Sequence, residues 1–419
     1  TSTLDDNRKE NRTLHLMSEE DALSKVQKYL HRQGIDRLSP IARKVEREGT
    51  PNRRNVVLVF MESMSANLMG TFGSDKKLTP YLDSLYQQSL SFSHFYSSGI
   101  HTNHGIYSTL YSFPAIMKRN AMKGSVIPVY SGLPTVLQEN GYCNLFFMTH
   151  ESQYDNMNAF LRTNGFDEIY AQENYPSEKV VNSFGVQDDF MYQYALPILN
   201  ERAGTGNPFF SVLLSISNHP PYVIPPYFHP HSDVLEEQIV EYADWSIRQF
   251  LQPAEKQPWF DNTIFVFLGD HGKMVGTPEC EMPQSYNHIP LMIYGKDIKP
   301  GVYDGFGGQV DVSPTLLGLL NISYLQNNFG VNLLEEERPC MFFTADNLIG
   351  ARDSVNMFIY SPDSQQEFKY KLEEGKLRAA TGTDEEAFRN LKDYCFSMLQ
   401  STESLVKEHK TLDKVSVKK

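Results

Sequence analysis

Four cysteines and two tryptophans are all that 419 residues contain. No apolar run approaches the roughly 20 residues that cross a bilayer. Cys143, Cys280, Cys340 and Cys395 lie far apart in the chain, which speaks against a disulfide scaffold and leaves the redox compartment open. Positive charge is scarce too: 38 Lys and Arg against 51 Asp and Glu give a net charge of −13, with no basic stripe. That argues against nucleic acid as a partner and discourages simple adhesion to anionic lipid, so a lipid would have to be met through a local pocket. No signal peptide opens the chain at Thr1, and no internal repeat is present. What the chain does have is apolar content, 40% of its residues, enough for one large core or for a large and a small domain.

The strongest signal lies near residue 270. The run Thr263-Ile264-Phe265-Val266-Phe267-Leu268 reads as a buried strand and ends in Gly269-Asp270-His271-Gly272. Side chains at the carboxyl end of a strand in an open α/β sheet face the crevice where ligands bind. Asp270 and His271 there offer a carboxylate oxygen and an imidazole nitrogen to one metal ion. The competing reading is a turn in which Asp270 caps the next helix. A second apolar run, Asn55 to Met61, ends in Glu62-Ser63. Glu62 is either a further ligand or a residue leaving the sheet for solvent; so near a core strand, a carboxylate is costly unless paired or coordinated. Between the two lies the small, polar segment Ser97 to Gly105, leading to a helix that could open near Ile106. A hydroxyl at a helix N-terminus sits where N–H groups and the dipole favour an anion. Bound to a metal, it becomes a nucleophile near neutral pH. Thr102 is the favoured hydroxyl, with an ordinary helix cap as the alternative.

These pieces, in this order, resemble the sulfatase branch of the alkaline phosphatase superfamily. Within it, the chain is most similar to the extracellular catalytic domain of lipoteichoic acid synthases and related phosphoglycerol transferases. Leu78-Thr79-Pro80-Tyr81, Leu133 to Tyr142, Phe147-Met148-Thr149-His150, Asp155 to Asp167, Ser217 to Tyr222 and Gln309 to Thr315 carry the likeness further, from Asn55 to about Leu320. The resemblance implies one divalent metal ion held by Glu62, Thr102, Asp270 and His271, with Mn²⁺ foremost and Mg²⁺ or Zn²⁺ as alternatives. It makes Thr102 the covalent nucleophile and places His150, His219 and Asn103 in the substrate pocket, with His219 or His150 protonating the leaving oxygen. Each histidine also has a plain structural reading. The implied substrates are a phospholipid donor such as phosphatidylglycerol and a glycan or glycerol-phosphate acceptor. The implied setting is the cell envelope, outside the cytoplasmic membrane, with a transmembrane tether lying outside this sequence and the domain acting as a monomer.

Three departures bear on the substrate. His101 stands before Thr102 where the synthases usually carry Lys. Asp155-Asn156-Met157-Asn158 replaces their Trp-Asn-Arg, with Arg162 further on, so a bidentate phosphate clamp is missing. The sulfatase nucleophile lies in Cys/Ser-x-Pro-x-Arg, whereas Thr102-Asn103-His104-Gly105-Ile106 has no Cys, Pro or Arg. Phosphoethanolamine transfer, phosphodiester or sulfatase-like hydrolysis, and a catalytically inactive binding module are the alternative functions.

Residues 1–50 read as an N-terminal helical linker segment starting at Ser18-Glu19-Glu20-Asp21, its face of Ala22, Val26, Tyr29 and Leu30 packing on the catalytic domain. Residues 51–335 alternate strand and helix patterns, giving an α/β catalytic domain with a mainly parallel sheet sandwiched by helices. A helix at Glu236–Leu251 supplies the crossover into the Asp270 strand, and Ile289–Tyr294 reads as another core strand beside a structural His288. Residues 336–419 read as a small α+β subdomain. It has antiparallel strands at Met341–Thr344, Val355–Tyr360 and Phe368–Leu372. Its helix runs from Asp384 to Lys407, with Phe388, Leu391, Tyr394, Cys395 and Met398 on one face, and a basic tail ends at Lys419. Asn11-Arg12-Thr13 and Asn321-Ile322-Ser323 match the N-glycosylation pattern.

Overall fold

The computed structural model describes residues 14–124, 126–382 and 385–414. The polar start with Asn11-Arg12-Thr13, the helix residue Asp384 and the last five residues of the basic tail lie outside the described residues.

The large sheet contains β1 (Asn55–Met61), β2 (Leu90–Tyr96), β3 (Cys143–Met148), β4 (Glu168–Tyr170), β5 (Phe209–Leu214), β6 (Thr263–Gly269), β7 (Leu291–Tyr294) and β8 (Gly301–Gly308). Their spatial order is β8-β2-β7-β6-β1-β5-β3-β4. Strand β7 runs antiparallel to both neighbours; the other neighbouring pairs are parallel. Every position of β1, β5 and β6 is buried, because helices cover both faces. That is why these strands are continuous apolar runs rather than alternating ones. Side chains still alternate between the faces: Val56, Leu58 and Phe60 join one core, and Val57, Val59 and Met61 the other.

Two helical layers complete the sandwich. Besides the short helices Met157–Thr163 and Gln284–Asn287, the helices in chain order are α1 (Glu19–Tyr29), α2 (Pro80–Gln87), α3 (Thr102–Tyr111), α4 (Leu133–Glu139), α5 (Asp188–Ala203), α6 (Leu235–Ala254), α7 (Val312–Leu319) and α8 (Glu385–Lys407). Helices α3, α4 and α7 pack on the face of Val56; α2, α5 and α6 pack on that of Val57. Helix α6 joins β5 to β6, the expected crossover. No described helix is long and apolar enough to cross a membrane, and all four cysteines are unpaired.

The C-terminal sheet is antiparallel and meanders through β9 (Met341–Thr344), β10 (Ile349–Arg352), β11 (Asn356–Ser361), β12 (Gln366–Glu373) and β13 (Lys376–Ala379). Strands β10 and β13 escaped the sequence reading: one is four residues with a glycine, and the other is four residues with Leu377 as its one buried side chain, so neither is long enough to display a pattern. Helix α8 buries the anticipated face of Phe388, Leu391, Tyr394, Cys395 and Met398. The expected helix α1 forms, with Ser18 Oγ capping the Asp21 N–H, but it packs along α8 rather than against the large sheet. Lys25 pairs with Asp393 at 2.7 Å, and the rings of Tyr29 and Tyr394 meet edge to face at 4.9 Å.

One buried ion pair ties the end of the large sheet to the segment leading to β9. Asp311, just before α7, accepts from Arg338 Nε (2.7 Å) and Nη2 (2.6 Å) and from the N–H groups of Gly308 (3.0 Å) and Val331 (2.8 Å). Replacing one partner leaves the other charge buried and alone, which costs about 3–5 kcal/mol. Arg338→Ala should therefore lower unfolding stability by that amount in urea titrations, and a loss under about 1 kcal/mol would contradict the role given to the pair.

Candidate functional site

Strands β1 and β6 are neighbours in register, with Met61 opposite Gly269. The residues that follow them, Glu62 and Asp270, therefore leave the sheet side by side at its carboxyl edge. Ser63 takes the left-handed backbone conformation, φ 51°, and its N–H donates to Asp270 Oδ1 at 2.8 Å. The His271 N–H donates to the same oxygen at 2.7 Å. Asp270 Oδ2 is buried with no partner.

His271 completes the cluster. Its Nδ1 lies 2.8 Å from the carbonyl of Gly272, which can only accept, so the proton sits on Nδ1. The lone pair on Nε2 then faces Asp270 Oδ2 at 3.5 Å and Glu62 Oε1 at 3.7 Å. One ligand atom each from Glu62, Asp270 and His271 lies within 4.8 Å of the others. Two buried carboxylates and an imidazole lone pair repel one another unless a cation sits among them. Accordingly, burial and then the Asp270 charge push the Glu62 carboxyl well above its ordinary range. The orphaned Oδ2, the fixed tautomer and the mixed oxygen and nitrogen donors all fit a divalent ion.

Thr102 is the first residue of α3, capped by His101, so the helix opens four residues before Ile106. Its Oγ1 donates to Glu62 Oε2 at 3.3 Å. The approach depends on Gly105: a Cβ there would stand 2.2 Å from the Asp270 carbonyl oxygen. The bare backbone lets the first turn of α3 press against the end of β6.

Sequence reasoning missed the residues that brace this cluster. Gln309 Nε2 donates to the carbonyls of Gly269 (3.1 Å) and Asp270 (2.7 Å), and its Oε1 accepts from the Ser98 N–H (3.0 Å). Asn218 Nδ2 donates to the carbonyls of Glu62 and Ser63, both at 3.2 Å. Lys273 Nζ donates to Asn218 Oδ1 at 2.6 Å. Burial pulls its ammonium down to about 8, against the attraction of Glu236 and Glu62. A Lys directly after Gly-Asp-His-Gly was the available signal for a cation here.

The other anticipated residues have partners of their own. His150 is buried, its Nδ1 held by the Glu151 carbonyl at 2.9 Å, and burial lowers its pKa. Its ring begins an aromatic arc running through Tyr154 (4.9 Å) and Phe184 (6.2 Å) to His219 (4.3 Å). His219 Nδ1 pairs with the Pro220 carbonyl at 2.6 Å. Asn103 Nδ2 donates to Asp155 Oδ2 at 3.2 Å. His101, where a Lys was expected by analogy, pairs at 2.6 Å with Asp346 from the β9–β10 turn, an interaction that raises its pKa. Arg162 bonds only locally, to Asn158 and the Asp167 carbonyl. His288 is structural: it bonds the Ser93 carbonyl at 2.9 Å and stacks on Tyr96.

Known proteins agree with this architecture. The sulfatase family model matches residues 54–322, well over half of the chain. The chain belongs to the sulfatase family. Curated relatives of this family member include a lipoteichoic acid synthase-like protein of Bacillus subtilis, 25% identical over 324 residues, covering 69% of this chain and 51% of that protein. A lipoteichoic acid synthase of Staphylococcus aureus is 24% identical over 400 residues, covering 84% and 58%. The chain thus spans a little over half the length of these relatives. Among solved structures, an alkaline phosphatase superfamily protein of Vibrio parahaemolyticus superposes with a TM-score of 0.85 at 25% identity, covering 94% of this chain and 97% of that one. The lipoteichoic acid synthase LtaP of Listeria monocytogenes shares the fold, with a TM-score of 0.74 at 21% identity over 92% and 98%.

Two substitutions test the cluster by calorimetric titration with Mn²⁺. Asp270→Asn should abolish saturable binding; wild-type affinity in this variant would remove the cluster from consideration. Gly105→Ala should cost about 1–3 kcal/mol of stability through overpacking, and displacing the supports of Asp270 should weaken Mn²⁺ binding about 10–100-fold.

Proposed function

We propose that this chain is a metal-dependent phosphoglycerol transferase that works through a covalent phosphothreonine on Thr102. The supporting observation is the Thr102 hydroxyl on the first turn of α3, 3.3 Å from Oε2 of Glu62, which clusters with Asp270 and His271. The curated relatives named as lipoteichoic acid synthases point the same way, as does the absence of a Cys/Ser-x-Pro-x-Arg segment at Thr102.

Glu62, Thr102, Asp270 and His271 would hold one divalent ion, Mn²⁺ before Mg²⁺ or Zn²⁺. When bound, it would lower the pKa of the threonine hydroxyl and offset charge on the phosphoryl oxygens. Thr102 Oγ1 attacks phosphorus of a phospholipid such as phosphatidylglycerol, the bond to the lipid oxygen breaks, and diacylglycerol leaves. N–H groups in the first turn of α3 stabilise the growing negative charge. His219 and His150 each donate Nδ1–H to a carbonyl and keep Nε2 for the substrate; with Nε2 also protonated, as an imidazolium, His219 supplies the proton to the leaving oxygen, a role that burial disfavours for His150. Asn103 contacts the transferred group. Lys273 stands in for the missing arginine clamp as a point charge. A glycan or glycerol-phosphate hydroxyl then displaces Thr102 and takes the phosphoglycerol group. The setting is the outer side of the cytoplasmic membrane, with the tether in sequence outside this chain and the domain acting as a monomer.

Intact mass after incubation with Mn²⁺ and phosphatidylglycerol tests this reading. Wild type should gain one glycerophosphoryl unit, and Thr102→Ala none. An adduct formed from phosphatidylethanolamine but not from phosphatidylglycerol would replace it with phosphoethanolamine transfer.

A further inference from the structure

Residues 112–132 join α3 to α4 with no helix or strand among the described residues. Irregular loops of this length are uncommon in compact domains and are usually functional. This loop, α3 and the end of α8 enclose a cavity of about 370 Å³, within the range of roughly 300–1,000 Å³ typical of small-ligand sites. Its wall is mostly apolar, with Tyr107, Ile116, Ile127, Val129 and Tyr130 prominent. Two of its residues, Val126 and Val129, are 79% and 46% exposed, a cost in water that a covering ligand would relieve.

Arg119 and Lys123 line the cavity, and Lys118 precedes them, so three cations fall within six residues; Arg119 is paired with the buried Glu403 at 3.2 Å and Lys123 with Asp155, which leaves one positive charge in excess. The far wall of the cavity belongs to the catalytic helix: Tyr107 lies about one turn beyond Asn103 on α3. Lys123 Nζ pairs with Asp155 Oδ1 at 2.8 Å, and Asp155 Oδ2 accepts from Asn103 Nδ2 at 3.2 Å. Asn103 Oδ1 is buried without a partner, and Asn103 directly follows Thr102. The cavity and the nucleophile are therefore joined by one short polar bridge.

We infer that this cavity receives a hydrocarbon chain of an anionic glycerophospholipid whose phosphate lies toward Lys123 and Thr102. The choice of headgroup rests on the phosphoglycerol-transferase reading; binding of the chain can be measured apart from turnover. Each methylene taken out of water strengthens binding about fourfold. The one positive charge in excess favours a negative head, while the acidic remainder of the surface keeps the protein from adhering to anionic lipid elsewhere.

The test titrates the whole chain with lauroyl lysophosphatidylglycerol below its critical micelle concentration, followed by calorimetry. Ile127→Glu and Val129→Glu each put a carboxylate into the apolar wall at partly exposed positions, and Mn²⁺ titration of the same variants reports whether the metal cluster is intact. Wild type and Thr102→Ala should bind one probe. Both cavity variants should bind it at least tenfold more weakly with Mn²⁺ affinity kept, and the octanoyl probe should bind wild type at least tenfold more weakly than the lauroyl one. No binding to wild type, unchanged affinity in both variants, or equal affinity for the two chain lengths overturns the cavity assignment. Equal affinity for lauroyl lysophosphatidylcholine overturns the role of the cations. Probe binding without any Thr102 adduct from phosphatidylglycerol overturns the transferase reading instead and leaves the cavity in place.

Discussion

Two carboxylates emerging side by side from adjacent buried strands set the terms for the rest of this structure. Glu62 and Asp270 are both almost fully buried, and their positions follow from the parallel register of β1 and β6. Two such charges are tolerated only when hydrogen bonds or a cation satisfy them. The surroundings divide that task. Backbone N–H groups of Ser63 and His271 saturate one oxygen of Asp270, Ser63 Oγ and Thr102 Oγ1 donate to Glu62, and the remaining oxygen and the His271 lone pair turn toward a common point. The loops then hold this arrangement through backbone carbonyls: Gln309 fixes the end of β6, and Asn218 fixes the end of β1.

The same logic explains what could be read in the sequence. Burial on both faces of a parallel sheet makes its central strands continuous apolar runs, so Asn55–Met61 and Thr263–Gly269 are visible, and the polar residue ending each run marks the crevice. The α/β class, the crossover helix and the apolar face of α8 follow from periodicity in the same way. The start of α3 was misjudged because Asn103-His104-Gly105 has little helix propensity. Its helical state comes from packing against Asp270, a contact that no local pattern records. Gln309, Asn218 and Lys273 act through partners dozens to hundreds of residues away, so they carry no periodic signal. The place of α1 depended on which of two apolar surfaces was nearer, which only the assembled chain decides.

The C-terminal sheet is not a mere appendage to this arrangement. Its first turn delivers Asp346 to His101, the residue capping the helix that carries Thr102. Arg338, on the segment entering β9, is locked to Asp311. Asp311 in turn holds the N–H of Gly308 at the end of β8, so the small sheet is anchored to the large one close to where Gln309 braces the metal cluster.

The pairing of β1 with β6 has a consequence for how the protein is made. Ser63 and Asp270 are 207 residues apart in sequence, and His101 and Asp346 are 245 apart. A ribosome releasing this chain from its N-terminus must expose the apolar β1 long before either flanking strand exists, and His101 finds its carboxylate partner only after Asp346 has emerged. Contacts of such long sequence separation form slowly, and an unpaired apolar strand invites aggregation in the interval. Assembly of the site thus waits on chain that lies more than 200 residues beyond β1.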